Sequence, residues 1–125
     1  MINLSFVKPK NKLKIDKYNS DLLNLICEKI KEIDNHTALK WDNELLKFVC
    51  ECIENGLHSD NEIKQKTNKK QLCIDVYIKV FTLSEAEKVI LTNSIQFLCD
   101  NELITKYNNF TKYSSIMLNY LKSKL

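Results

Sequence analysis

The chain contains no arginine, and all 19 of its basic residues are lysine. It therefore lacks the planar fork that recognises guanine edges, phosphates and carboxylates through paired hydrogen bonds, so any electrostatic binding rests on point charges. Glycine and proline occur once each, as Gly56 and Pro9. A single glycine excludes the glycine-rich loops that cradle nucleotide phosphates. No Cys-x-x-Cys pair is present, and the two histidines, His36 and His58, stand in turn-like segments. No apolar run approaches the ~18 residues that a membrane span needs. Residues 1–19 are rich in lysine and hold no apolar stretch long enough for a signal peptide.

What is present suits one small soluble domain with one core: 125 residues, 44% of them hydrophobic and 28% charged. The five cysteines (Cys27, Cys50, Cys52, Cys73 and Cys99) are odd in number, and four lie in apolar, helix-like runs. That pattern points to free, buried thiols and to a reducing intracellular compartment, cytosolic or nuclear. In such a compartment the three sequons at Asn3, Asn35 and Asn109 carry no sugar. Lysine, asparagine and isoleucine all have A/T-rich codons. Their abundance suggests an A/T-rich genome, such as that of a phage, a large DNA virus, a protist or a low-GC bacterium.

Polar and apolar spacing predicts an all-α fold, a compact bundle of five or six short helices. Residues 1–19 are expected as an extended basic N-terminal arm and residues 20–125 as a single helical domain. Residues 20–34 repeat Leu22, Ile26, Ile30 and Ile33 on one helical face. Asp42 should cap the next helix, with Trp41 packing on Leu46 as a hydrophobic staple. Its inner side is expected to be Leu45, Leu46, Phe48, Val49, Cys52 and Ile53, and its outer side Glu44, Lys47, Glu51 and Glu54. Gly56 is expected as its left-handed stop. Ser59 and Glu62 suggest a further short helix. Residues 72–81 (LCIDVYIKVF) read equally well, by alternation, as a strand. With no second alternating run to pair with, they are assigned to a buried central helix in which Asp75 and Lys79 form an ion pair and Ile74 and Ile78 are enclosed. Overlapping capping boxes at 82–87 should open a long helix burying Ala86, Ile90, Leu91, Ser94, Ile95, Phe97 and Leu98, stopped by a left-handed Asn101. A last helix from about residue 111 carries Tyr113, Ile116, Met117, Tyr120 and Leu121 at core spacing.

No residues gather into recognisable reaction chemistry. Cys50 and Cys52 point about 200° apart on a helix and cannot share one metal ion. The carboxylates are expected on wet faces, Asp75 excepted. No catalytic, cofactor-binding or metal-binding residue is assigned, and no cofactor or small-molecule substrate. Charge is segregated: residues 1–19 sum to +4, 20–60 to −5, 61–70 to +3, 71–105 to −3 and 106–125 to +4. Lys8, Lys10, Lys12, Lys14 and Lys17 in the arm, with Lys112, Lys122 and Lys124 in the last helix and Lys106 before it, are the candidate partner-binding residues. If arm and helix share one side of the fold, they would hold an acidic partner.

Residues 44–67 (ELLKFVCECIENGLHSDNEIKQKT) resemble the first two helices of a winged-helix or helix-turn-helix unit, and Asn101 to Lys106 (NELITK) resemble the phrase that often follows its recognition helix. The resemblance implies nucleic-acid binding. The sequence departs from it in the following helix, 72–81, which is too apolar to face a groove. The other candidate helix presents Glu85, Thr92, Asn93, Gln96 and Asp100, with Lys88 its one basic group. Residues 70–81, 83–85 and 95–104 are similar to small uncharacterised helical proteins of large DNA viruses, a resemblance that implies a viral source, virion association among its settings, and no chemistry. The function expected is that of a non-enzymatic protein-interaction or structural protein. Its partner would be another protein or a second copy of itself. The alternative is winged-helix-like or lysine-mediated, non-specific nucleic-acid binding.

Overall fold

Helices in this chain begin where a short polar side chain can satisfy the unpaired amides of a first turn. Asp42 accepts from the backbone N–H groups of Glu44 and Leu45 at 2.8 and 3.0 Å. Asn68 accepts from that of Gln71 at 3.0 Å and Asn109 from that of Lys112 at 3.2 Å. Of the two overlapping capping boxes, the reciprocal pair of Ser84 and Glu87 is the one that forms. The computed structural model describes residues 8–56 and 67–124, with side chains described from Lys14 onward. These residues form α1 (Lys8–Lys31), a 3-10 turn (His36–Leu39), α2 (Asn43–Gly56), α3 (Lys69–Phe81), α4 (Glu85–Asp100) and α5 (Phe110–Ser123).

No described residue lies in a strand, so the fold is all-α and the ambiguous run 72–81 is helical. Among the described residues no helix is long and apolar enough to cross a membrane. The helix expected at Ser59 and the second histidine, His58, lie outside the described residues.

Two helices share the centre. Helix α3 packs against α1, α2 and α4, burying Leu72, Cys73, Ile74, Val76 and Tyr77. Helix α2 packs against every other helix and buries nine of its fourteen residues. Each apolar side chain fully removed from water contributes roughly 1.5–3 kcal/mol, so these two helices hold most of the core free energy. Ile78, expected to be enclosed like Ile74, is only half-buried, because the last turn of α3 packs on the core in part.

Several local expectations are corrected. Helix α1 begins at Lys8, so residues 8–19 are helical rather than an extended arm. Pro9 falls in the first turn, where its missing N–H has no intrahelical partner to lose. Ile15 and Tyr18 continue the stripe of Leu22 and Ile26 onto the core. Gly56 has no positive φ and ends α2 within the helix. Its use is steric: a Cβ there would stand 2.9 Å from Leu22 Cδ1, and its carbonyl accepts from Tyr18 Oη at 2.8 Å. The left-handed residue after α4 is Glu102 (φ 53), not Asn101 (φ −97). Trp41 is half exposed, with Lys40 Nζ 5.4 Å from its ring. Asp75 accepts from Gln71 and Lys79 donates to Asn24 in place of the expected ion pair between them, since both neighbours lie within side-chain reach. The cysteines are free, as expected, but Cys99 is exposed.

Candidate interaction site

Helix α4 is where burial departs most from the sequence pattern. Its inner side is Leu91, Ile95 and Leu98. Ile90 (52% exposed) and Phe97 (60%), both expected inside, face outward with Ala86 and Val89. The apolar arc of α4 is wider than the surface α2 and α3 can cover, and the surplus is left in water. A groove of about 580 Å³ runs between this outer face and the first turns of α2. Leu46 and Leu98 line its floor, Ile90, Phe97 and Leu103 its walls, and Glu44, Lys47, Asn93 and Ser94 its rim.

Leu103 reaches the groove through the way α4 ends. The N–H of Glu102 bonds to the carbonyl of Cys99 (3.2 Å) and that of Leu103 to the carbonyl of Leu98 (3.0 Å). With Glu102 left-handed this is a Schellman stop, which folds the residue after the turn back against the third residue from the helix end. Those residues are Leu103 and Leu98.

The segment that follows is pinned by two polar residues inside the core. Glu51, expected on the wet side of α2, is fully buried. Its Oε2 accepts from the backbone N–H of Thr105 at 2.9 Å and its Oε1 from Tyr113 Oη at 2.9 Å. One turn on, buried Asn55 accepts from the N–H of Tyr107 (2.8 Å) and donates to the carbonyls of Thr105 (3.0 Å) and Glu51 (2.8 Å). The pair supplies an irregular segment with the partners that a helix would otherwise provide. Tyr113 stacks on Tyr107 with ring centroids 3.9 Å apart. Burial first, then hydrogen bonding to Tyr107 and Glu51, pushes the Tyr113 phenol well above its ordinary range. Glu51 is fully buried, and its carboxylate acts as a clasp for the chain.

Helix α5 adjoins the groove on its other side. Tyr120 Oη donates to Glu44 Oε1 at 3.1 Å, and Tyr113 reaches Glu51 one heptad along, so α2 and α5 run antiparallel. Lys124 Nζ ties this end down, 2.6 Å from Asp42 and 2.7 Å from Glu44. Burial acts to raise the Asp42 carboxyl. The Lys124 ammonium and the N–H groups of Leu45 and Glu44 outweigh it and hold the group below the usual carboxylate range. Bonds to Asp42 and Glu44 correspondingly push Lys124 upward.

Among the described residues the candidate lysines are spread over α1, the segment before α5 and both ends of α5. Lys14 and Lys17 are exposed near the start of α1 and Lys112 is exposed on the first turn of α5. Lys122 lies 3.9 Å from Glu32, just past the other end of α1, about 22 Å of helix rise from Lys17. Lys106 lies 3.5 Å from Glu54, and Lys124 is held as described. Lys8, Lys10 and Lys12 belong to the first turns of α1, their side chains outside the described set. Among the described residues no group of three or more His, Cys, Asp or Glu is placed to hold a metal ion.

No known protein family, no characterised protein sequence and no solved structure matches this chain.

Proposed function

We propose that the chain is a non-enzymatic protein-binding module that takes an amphipathic helix of another protein in the groove between α2 and α4. The observation that carries this reading is the exposed apolar set of Ile90, Phe97 and Leu103 around a floor of Leu46 and Leu98. Monomeric proteins rarely leave neighbouring large side chains in water without a use for them, and a cleft between two helices is the shape that receives a third. Charge favours a partner with a basic end. Asp100 and Glu102 stand exposed where the groove meets the C-terminus of α4, and the helix dipole adds negative potential there. It disfavours a second copy packed through α4. Glu85 lies at one end of that helix and Asp100 and Glu102 at the other, so two such helices bring carboxylates together in either direction. The dispersal of the lysines, three of them beside carboxylates, makes nucleic acid the weaker reading.

The test is selection of helical peptides from a displayed library against the full chain, with competition by the variant Phe97→Asp. The expected binders carry apolar residues at i, i+3 or i+4 and i+7 with a lysine or arginine near one end. Phe97→Asp should weaken them about tenfold or more, roughly 1.4 kcal/mol per decade. An absence of such binders, binding that survives Phe97→Asp, or concentration-dependent dimers in sedimentation that this substitution abolishes would overturn the reading, the last by giving the face to a second copy.

A further inference from the structure

A second cavity lies on the opposite side of α4. It is small, about 90 Å³, and three of the five thiols line it: Cys50 of α2, Cys73 of α3 and Cys99 of α4. Ile53, Ile95 and Ile104 make up much of the remaining wall. Cys50 Sγ and Cys73 Sγ are buried and 3.8 Å apart, in direct contact across the α2–α3 interface. Cys99 is exposed. An outward-facing thiol and a touching pair of inner thiols therefore share one pocket large enough for a few waters.

We propose that this cluster is a site of reversible oxidation by small hydroperoxides, in which Cys99 meets the oxidant and Cys50 and Cys73 end as a disulfide. Cys99 Sγ, as thiolate, attacks one peroxide oxygen. The O–O bond breaks, the alcohol or water leaves, and Cys99 becomes a sulfenic acid. The sulfur of Cys73 or Cys50 then attacks Cys99 Sγ. Its proton departs with the displaced hydroxyl as water, leaving a disulfide to Cys99. The remaining inner thiol attacks its neighbour's sulfur in that disulfide, forms the Cys50–Cys73 bond and returns Cys99 as a thiol. Two thiols and one hydroperoxide give one disulfide, one alcohol or water and one water. Closing the inner pair to a bond of about 2.05 Å takes an approach of roughly 1.8 Å.

The thiolate is the reacting form. The hydrogen bond with Cys50, then burial, raises the thiol of Cys73, and burial foremost raises that of Cys99. Oxidation is therefore slow and the product is read as an end state. Buried Cys27 and Cys52, which do not line the pocket, serve as internal controls.

The experiment treats the reduced full chain with hydrogen peroxide, blocks remaining thiols, and maps linkages by mass spectrometry without reduction. The expected product is a monomer lighter by two hydrogens, with a Cys50–Cys73 linked peptide that dithiothreitol removes. Cys99→Ser should slow its formation about tenfold. In Cys73→Ala, confirmed folded by circular dichroism, the reaction should instead stop at a disulfide between Cys50 and Cys99. The proposal is overturned if the folded parent gives no Cys50–Cys73 link, if Cys27 or Cys52 is joined as readily, or if Cys99→Ser leaves the rate unchanged. The parent and Cys99→Ser comparisons decide the matter even if the alanine variant does not fold.

Discussion

Helices α2 and α4 have similar length and similar apolar content, yet α2 buries nine residues and α4 three. Helix α2 is surrounded by the other four and takes even Glu51 and Asn55 inside, where the chain following α4 supplies their partners. Helix α4 lies on the outside against two helices and leaves Val89, Ile90 and Phe97 in water. Hydrophobicity sets what a residue would gain by burial, whereas the number of neighbouring elements sets whether that gain is realised. A carboxylate fully inside and a phenylalanine largely outside are two results of that one rule.

The sharpest way to break the comparison is to make the same substitution in both helices. Phe48→Ala in α2 should cost about 3–5 kcal/mol, because a fully enclosed ring leaves a cavity behind. Phe97→Ala in α4 should change stability by no more than about 0.5 kcal/mol, as for other surface positions. Urea denaturation of the two variants measures both, and comparable losses would mean that Phe97 is part of the core.

Next in size is the buried clasp. Glu51→Ala should destabilise by about 3 kcal/mol, since the Thr105 amide and the Tyr113 hydroxyl each lose a buried partner. Amide exchange at Thr105 and Tyr107 should quicken before the rest of the chain is affected. A variant as stable as the parent would show that water replaces the carboxylate freely, and that α2 tolerates this residue rather than depending on it.

The smallest effect concerns the end of α2 that α5 ties down. Asp42 has a lowered folded-state pKa, so its ion pair stabilises the fold fully above its unfolded value of about 3.9, and that contribution is lost as pH falls through the lower folded value. Asp42→Asn keeps a capping oxygen but loses the charge facing Lys124. Its melting temperature should lie slightly below the parent's at neutral pH and converge with it in acid. Asp42→Ala should lose about 1 kcal/mol more with the cap. A gap between parent and Asp42→Asn that stays constant from neutral to strongly acidic pH would remove the Lys124 pair as its cause.

The parts of the fold that could be read directly are those governed by neighbours in the chain. Asp42, Ser84 with Glu87, and the stripe Leu22, Ile26, Ile30 and Ile33 act within one or two turns, and each stands where its spacing placed it. The helical state of 72–81 required one further step, since its alternation left the strand open until the lack of a pairing partner was weighed. Gly56 shows the limit of residue type as a guide. Glycine after a helix suggests a left-handed stop, but here the reason for glycine is the approach of Leu22 from another helix. Asp75 and Lys79 show the same limit for charge, because each found a partner other than the one nearest in spacing.

The candidate site was the least legible part. Its residues were visible as an apolar face on residues 86–98, but a surplus of apolar arc looks the same in sequence whether a neighbour covers it or not. Glu51 carried no signal at all, for a glutamate among Glu44, Lys47 and Glu54 reads as a wet face. The sequence by itself determined the all-α class, the helices from residue 20 on that the structure describes and most of their starts, because hydrogen bonding within a turn and apolar periodicity are local. Only the tertiary structure decided which apolar stripe was enclosed, which carboxylate went inside and which thiols met, because each depends on elements brought together across tens of residues of chain.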